Sequence, residues 1–241
     1  MIIYGRNPVK EAIKAGKTLD KVYMIKGEHD AMLSSIFRDI KDEGIVVSYL
    51  DRMAMESLTE GGNHQGIAAQ VTDFEYSDLD DIMSLAESQG QPALIVILDG
   101  ITDPHNLGAI IRSAECFGAH GVVIQKHRSV TVNDTVIKVA SGATEHIAIA
   151  KVTNINDAIR QLKERNVWVY ATDFDGKPPK SVNLTGNIAI VIGSEGEGIK
   201  RLTKELCDDT VTIPQYGKIN SLNASVATGV VLYEIVRQRY N

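Results

Sequence analysis

The chain has 241 residues, 44% of them hydrophobic and 23% charged, with a formal net charge of −6. That composition can bury a substantial core, and no apolar run reaches the ~18–20 residues of a membrane-spanning helix. The first ten residues are mixed and polar by Arg6, unlike a signal peptide, and the two cysteines lack CxxC spacing, which argues against a zinc ribbon and fits a reducing cytoplasm.

In chain order, residues 1–71 read as a small α/β domain with 9 basic and 10 acidic side chains. Strands are expected at 2–4, 21–25, 46–50 and 66–71, and helices at 9–15, 31–43 and 53–58. Residues 72–92 carry 6 acidic and no basic side chains, so the whole acidic excess sits there. This segment reads as a solvated, extended linker with room for a short helix over 77–88; a surface helix inside a single domain is the competing reading.

Residues 93–241 carry 16 basic and 15 acidic side chains and alternate strand and helix more strongly. Strands are expected at 94–98, 121–124, 167–171, 188–192 and 210–214. Helices are expected at 107–117, 133–141, 155–164, 200–206 and 222–239. Leu94-Ile95-Val96-Ile97-Leu98 is apolar throughout, as in a parallel strand covered on both faces. The class is therefore an open α/β fold, whose ligands gather beyond the carboxyl ends of the strands.

Three loops there are out of character. The first, Asp99 to Gly108, precedes Arg112. The second is Ile192-Gly193-Ser194-Glu195-Gly196-Glu197-Gly198. The third, Asn220 to Ala227, places two Asn and two Ser before an apolar helix. Polar groups in that position must be hydrogen-bonded or face a ligand, since burying one unpaired costs about 1–3 kcal/mol. The glycine loop fails the GxGxxG spacing of a dinucleotide site, its two glutamates would repel a pyrophosphate, and no P-loop occurs. Asp99, Asp103, His105 and Asn106 are too closely spaced to define a metal site, and Asn106 also reads as a helix N-cap. Arg112 also reads as a surface arginine. The histidines at 29, 64, 105, 120, 127 and 146 pair with no Ser or Cys as in a triad, and His64 sits in a turn-rich loop. Basic side chains available to RNA include Arg6, Lys10, Lys126 and Arg128.

Together the three loops resemble the signature motifs of the SpoU/TrmH family of the SPOUT superfamily of RNA methyltransferases. The first is Asn106-Leu107-Gly108 with Arg112, the second Ile188 to Gly198, and the third Ile213-Pro214 through Ser221-Leu222-Asn223-Ala224-Ser225-Val226-Ala227. Tyr4-Gly5-Arg6-Asn7-Pro8-Val9 and His64-Gln65-Gly66-Ile67 look like the substrate-binding domain of the subgroup that 2′-O-methylates a guanosine of 23S rRNA.

That resemblance implies a parallel-sheet SPOUT domain with a deep trefoil knot, a small RNA-binding domain resembling a ribosomal-protein fold, and a homodimer. It implies S-adenosyl-L-methionine held by backbone at Gly193, Ile213 and Leu222, with Thr144, Ser194, Gly196 and Ser221 close by, and no metal. It gives catalytic roles to Asn106, Arg112, Glu195 and Asn223: Arg112 is the base, or lowers the hydroxyl's pKa together with a phosphate, and because a guanidinium is a poor base we read it as gripping the phosphate and favouring the alkoxide; Asn106 orients Arg112 or the ribose, Glu195 holds Arg112 or Asn223, and Asn223 anchors the nucleotide or its ribose. Gly193→Val is expected to block the pocket by bulk. Arg6, Lys10, His64, Lys126 and Arg128 are the expected RNA contacts. A tRNA ribose methyltransferase and a non-catalytic ribosome-assembly factor are the alternatives.

Overall fold

The computed structural model describes residues 1–27, 30–72, 74–218 and 221–240; His29, Asp73 of the acidic segment and Asn220 of the third loop lie outside the described residues. The chain forms two compact units, Met1–Glu75 with Thr131–Asp134, and Tyr76–Val130 with Thr135–Asn241.

The first unit runs β1 (Ile2–Tyr4), α1 (Arg6–Lys14), β2 (Thr18–Ile25), α2 (Ala31–Asp42), β3 (Val47–Leu50), α3 (Arg52–Leu58) and β4 (Ile67–Thr72). Its sheet has the order β1-β4-β2-β3, with β2 and β3 parallel and β4 antiparallel to both its neighbours. Val9 and Ala12 of α1 and Leu33, Ile36 and Ile40 of α2 pack on Val22, Met24, Ile67 and Val71 of the sheet. Asp30 caps α2 by accepting from Met32 and Leu33 N–H, and Asp51 caps α3 through Ala54 N–H.

The second unit runs α4 (Leu79–Ser88), β5 (Leu94–Asp99), α5 (Pro104–Cys116), β6 (Gly121–Gln125), α6 (Asp134–Ala140), β7 (Ala148–Val152), α7 (Ile155–Glu164), β8 (Trp168–Lys177), β9 (Ile188–Gly193), α8 (Arg201–Leu206), β10 (Asp209–Val211) and α9 (Ala224–Tyr240). Among the described residues its sheet is six-stranded and parallel, in the order β10-β8-β9-β5-β6-β7. All six residues of β5 are buried, as its apolar run predicts. The strand β7 is an addition to the expected elements, and β8 runs six residues beyond its expected end at Ala171.

The acidic segment is not an extended linker. Its helix α4 buries Leu79, Ile82, Met83 and Ala86 in one core with Ile95, Ile97, Val123 and Ile159. The fit is close: a Cβ on Gly121 would stand 2.4 Å from Cδ1 of Ile82. The carboxylates have local uses. Asp78 and Asp81 form a reciprocal capping box, and Asp78, Asp80 and Asp81 cluster where the helix dipole favours negative charge. Asp80 also pairs with Arg165, so the segment does have a basic partner. The acidic composition reflects a helix N-terminus on a packed helix.

Candidate active site

β5 and β9 are neighbours in register, with Asp99 opposite Gly193. Their following loops, the first and second of the unusual segments, therefore leave the same edge of the sheet side by side. Asp99 ties them together. It is 1% exposed, and it accepts from Lys200 N–H at 2.9 Å and from Lys200 Nζ at 2.6 Å. An unpaired carboxylate at this depth would be strongly unfavourable; here both oxygens grip the residue that ends the glycine loop.

Gly100, at φ +80°, turns the chain out of β5. Asp103 caps α5 through His105 N–H, with Pro104 in the first turn. Asn106 is thus not the cap, and its side chain, 8% exposed, is free for another use. Gly108 lets α5 approach α6, because a Cβ there would lie 2.7 Å from Cβ of Val139.

The second loop folds back on itself through Ser194 N–H to Gly198 O (3.2 Å) and Gly198 N–H to Ser194 O (2.9 Å). A Cβ on Gly193 would fall 2.2 Å from the Gly198 carbonyl carbon. Gly193→Val therefore collides with the loop's own backbone, and the expectation that it acts by filling the pocket is corrected.

From the third segment, Asn223 caps α9. Its Oδ1 accepts from Ser225 N–H (3.0 Å), Ser225 Oγ (2.6 Å) and Val226 N–H (3.3 Å). This sets the amide's orientation and leaves Nδ2 to donate to Asn106 Oδ1 at 2.8 Å and Glu195 Oε1 at 2.6 Å. Asn106 Nδ2 closes the ring with Glu195 Oε1 at 3.1 Å. Three residues separated by 89 and 28 positions thus share one network.

Arg112 stands apart from this ring. It is exposed on α5 and its NH1 donates to Ser141 Oγ at 3.4 Å. Of the two partners expected for Glu195, the structure pairs it with Asn223.

Beside the ring lies a pocket of about 240 Å³. Gly193, Ser194, Gly196, Ile213, Ser221 and Leu222 all line it, as does Glu195. Thr144 lies outside that lining; it is buried in the 3-10 turn at 143–145, and its Oγ1 has no hydrogen-bond partner. Apolar contact comes from Ile192, Ile199, Ile213 and Leu222, and charge from Asp173, Glu195 and Glu197, with no Lys or Arg among the described lining residues. Asp173 and Phe174 were not singled out by sequence; they lie on the extension of β8. Lys126 and Arg128 follow β6 on the same sheet edge, where Ser129 and Val130 bond to Ile101 O.

Arg6 and His64 line a cleft of about 830 Å³ in the first unit, together with Arg52 and the turn at 61–66; Lys10 is outside its lining. Arg6 is fixed by Asp30 at 2.6 Å and by Gln65 O at 3.0 Å. His64 is 8% exposed, and its Nδ1 accepts from Gly66 N–H at 3.0 Å. The backbone hydrogen bond from Leu33 and the charge of Arg6 hold the Asp30 carboxyl below its usual range. Burial, then the nearby Asp208, pushes the Cys207 thiol up to about 12, so it is not a thiolate nucleophile at neutral pH. Among the described residues no three His, Cys, Asp or Glu side chains group as metal ligands, and no helix is long and apolar enough to cross a membrane.

Comparison with known proteins agrees with the motifs. The SpoU rRNA Methylase family model matches residues 93–233, and the model for RNA 2′-O ribose methyltransferase substrate binding matches residues 2–77. The 23S rRNA (guanosine-2′-O-)-methyltransferase RlmB of Yersinia pestis is 43% identical over 241 residues, covering 99% of this chain and 97% of that protein. RlmB of Escherichia coli K12 is 41% identical over 241 residues, covering 99% and 98%. Among solved structures, the SpoU methyltransferase AviRb of Streptomyces viridochromogenes, in complex with AdoMet, shares the fold with a TM-score of 0.63 at 24% identity, covering 99% of this chain and 90% of that one. The chain belongs to the SpoU family of RNA methyltransferases.

Proposed function

We propose that this protein transfers a methyl group from S-adenosyl-L-methionine to the ribose 2′-hydroxyl of a guanosine in 23S rRNA. The observation that carries the reading is the Asn106–Glu195–Asn223 ring beside a glycine-loop pocket that shares Glu195 with it. The pocket fits the donor chemically: apolar side chains suit a purine, backbone-rich glycine segments suit polar edges, and the carboxylates of Glu195 and Glu197, with no lining cation among the described residues, suit a sulfonium and an ammonium. The same charge pattern disfavours a pyrophosphate.

When bound, S-adenosylmethionine supplies an electrophilic methyl group for in-line displacement. The protein's task is then largely positioning, which can supply up to ~7–11 kcal/mol of barrier reduction. Asn223, fixed by the helix it caps, orients the ribose; Asn106 and Glu195 hold Asn223 in place. Arg112 grips a phosphate and favours the developing alkoxide, since a guanidinium is a poor base. The first unit selects the RNA through Arg6 and His64 in its cleft and Lys10 nearby, with Lys126 and Arg128 contacting backbone at the sheet edge. We include in the proposal the trefoil knot formed by the C-terminal segment.

A homodimer through α9 completes the reading. Val226, Val230, Tyr233 and Tyr240 are 51%, 41%, 60% and 69% exposed. The helix thus presents apolar side chains along its outer surface, continuous with a groove at Pro178–Lys180, Ile213, Pro214 and Tyr216. The test is radiolabelled methyl transfer to separated 23S rRNA and tRNA pools. Label in 23S rRNA supports the reading; label in tRNA alone would favour a tRNA methyltransferase, and no label a non-catalytic RNA-binding role.

A further inference from the structure

We infer that Phe174 is a donor-binding residue, an aromatic platform for the purine ring of the methyl donor at the rim of the pocket. The inference rests on the methyl-donor reading and goes beyond it to one side chain. Phe174 is 66% exposed, yet it lines the pocket and is the one aromatic among its described lining residues. A large aromatic left in water without burying area in the fold is a candidate for contact with something that arrives later.

Its backbone is held at both ends. Asp173 Oδ1 accepts from Phe174 N–H at 2.7 Å, and Thr212 Oγ1 donates to Phe174 O at 3.2 Å. Asp173 is itself fixed: Lys204 Nζ donates to Asp173 Oδ2 at 2.6 Å and to Asp175 Oδ1 at 2.6 Å. The hydrogen bonds it donates to these two carboxylates raise the Lys204 pKa, so the clamp is charged throughout the neutral range. Ion pairs this near the surface add little to stability; this one fixes the position of a pocket wall. The ligand surface such a wall suits is flat and π-rich, and the purine is the flat part of the donor.

The test is calorimetric titration of the full chain with S-adenosylhomocysteine and, separately, with adenosine. Phe174→Ala should weaken both by the same factor, about 5–10-fold from losing one stacking contact. Phe174→Leu should fall between, because it keeps apolar area without the ring face, and Phe174→Tyr should restore wild-type affinity. In steady-state assays Phe174→Ala should raise KM for the donor and leave kcat, KM for RNA and the mass by light scattering unchanged. Lys204→Met should reproduce part of the affinity loss and Lys204→Arg recover it. S-adenosylhomocysteine bound by Phe174→Ala within twofold of wild type overturns the inference and leaves the donor reading standing. So does an effect confined to RNA KM or to oligomeric mass. A wild-type chain that binds neither probe overturns both.

Discussion

The two edges of the six-stranded sheet both carry hydrogen-bonded polar side chains, and they use them differently. At the edge where strands begin, polar groups bond to backbone. Arg239 donates to Pro92 O, Ala93 O and Gly186 O at 3.0, 2.9 and 2.7 Å, His120 Nδ1 accepts from Leu94 N–H at 3.0 Å, and Asn187 Oδ1 from Ala93 N–H at 2.8 Å. At the edge where strands end, Asn106, Glu195 and Asn223 bond to one another beside an open pocket. Side chain to side chain bonds are the minority class, about 10–15% of those in folded proteins. The first pattern satisfies strand starts that would otherwise be orphaned; the second holds side chains in relation to a ligand. The same chemistry thus separates the edge that maintains the fold from the edge that works.

The largest expected effect lies at the working edge. Arg112→Ala should abolish methyl transfer while donor affinity measured by calorimetry stays within a few-fold of wild type. Arg112→Lys should also fail, since an ammonium does not reproduce a planar fork. Substantial retained activity would reduce Arg112 to a surface residue paired with Ser141 and leave the ring as the sole polar machinery.

Next, Gly193→Ala should eliminate measurable donor binding, because its Cβ must displace the backbone at Gly198 and Ile199. Calorimetry with S-adenosylhomocysteine reads the effect, and normal affinity would show that the loop relaxes without loss of the pocket. At the other edge, Arg239→Ala should lower stability by about 1–3 kcal/mol, for backbone carbonyls left without their partner. Its kcat should stay at the wild-type value below the unfolding transition, as read by denaturant titration beside a kinetic assay. A selective loss of kcat would erase the distinction between the two edges.

The pH dependence sharpens the comparison further. Burial, followed by the nearby Arg239 charge, lowers the His120 pKa below the ordinary 6.5. The unfolded chain therefore takes up this proton first as pH falls, so stability should decline below about pH 6.5 until the folded-state pKa is passed. In His120→Gln that part of the slope should disappear from thermal midpoints measured between pH 7.5 and pH 5; an unchanged slope would assign it elsewhere.

The smallest expected change in the second unit's own fold and donor binding comes from truncating the chain at Tyr76. That cut keeps α4 on the core of the second unit, so the remainder should fold and bind donor, with 23S rRNA methylation reduced. A cut at Gln91 removes Ile82 and Met83 from the core beside Gly121 and should be visibly destabilised in thermal melts. Equal melting of the two fragments would mean that α4 contributes nothing to the second unit.

The contrast between edges also marks what could be read from residues alone. The apolar runs at 94–98 and 188–192 announce central strands, and α7 occupies the expected 155–164. The strand β7, with its short mixed Ala148-Ile149-Ala150-Lys151-Val152, carries too weak a pattern. In α4 the signal was present: Leu79, Ile82, Met83 and Ala86 stand at i, i+3, i+4 and i+7, the spacing of one buried helical face. Six carboxylates in 21 residues have the composition of a linker, although Asp78, Asp80 and Asp81 belong to the helix N-terminus.

At the site, polar and glycine loops between apolar elements marked the three segments, and the resemblance to family motifs singled out Asn106, Glu195 and Asn223 within them. Their mutual bonds depend on β5 and β9 being adjacent, which no local pattern encodes. Asp99 with Lys200, and Asp173 with Lys204, are partnerships of the same tertiary kind. Thr144 entered through resemblance alone, and its burial away from the pocket lining follows from its packing in the turn after α6.

The most direct test of the account is nucleoside analysis of 23S rRNA after incubation with S-adenosylmethionine and either the wild-type chain or Asn223→Ala. Wild type should yield 2′-O-methylguanosine at a single site. Asn223→Ala, which breaks the ring and removes a helix cap at about 1 kcal/mol, should yield about 100-fold less product at equal folded concentration. Methylation on a base, or an undiminished yield from a folded Asn223→Ala chain, would contradict the account.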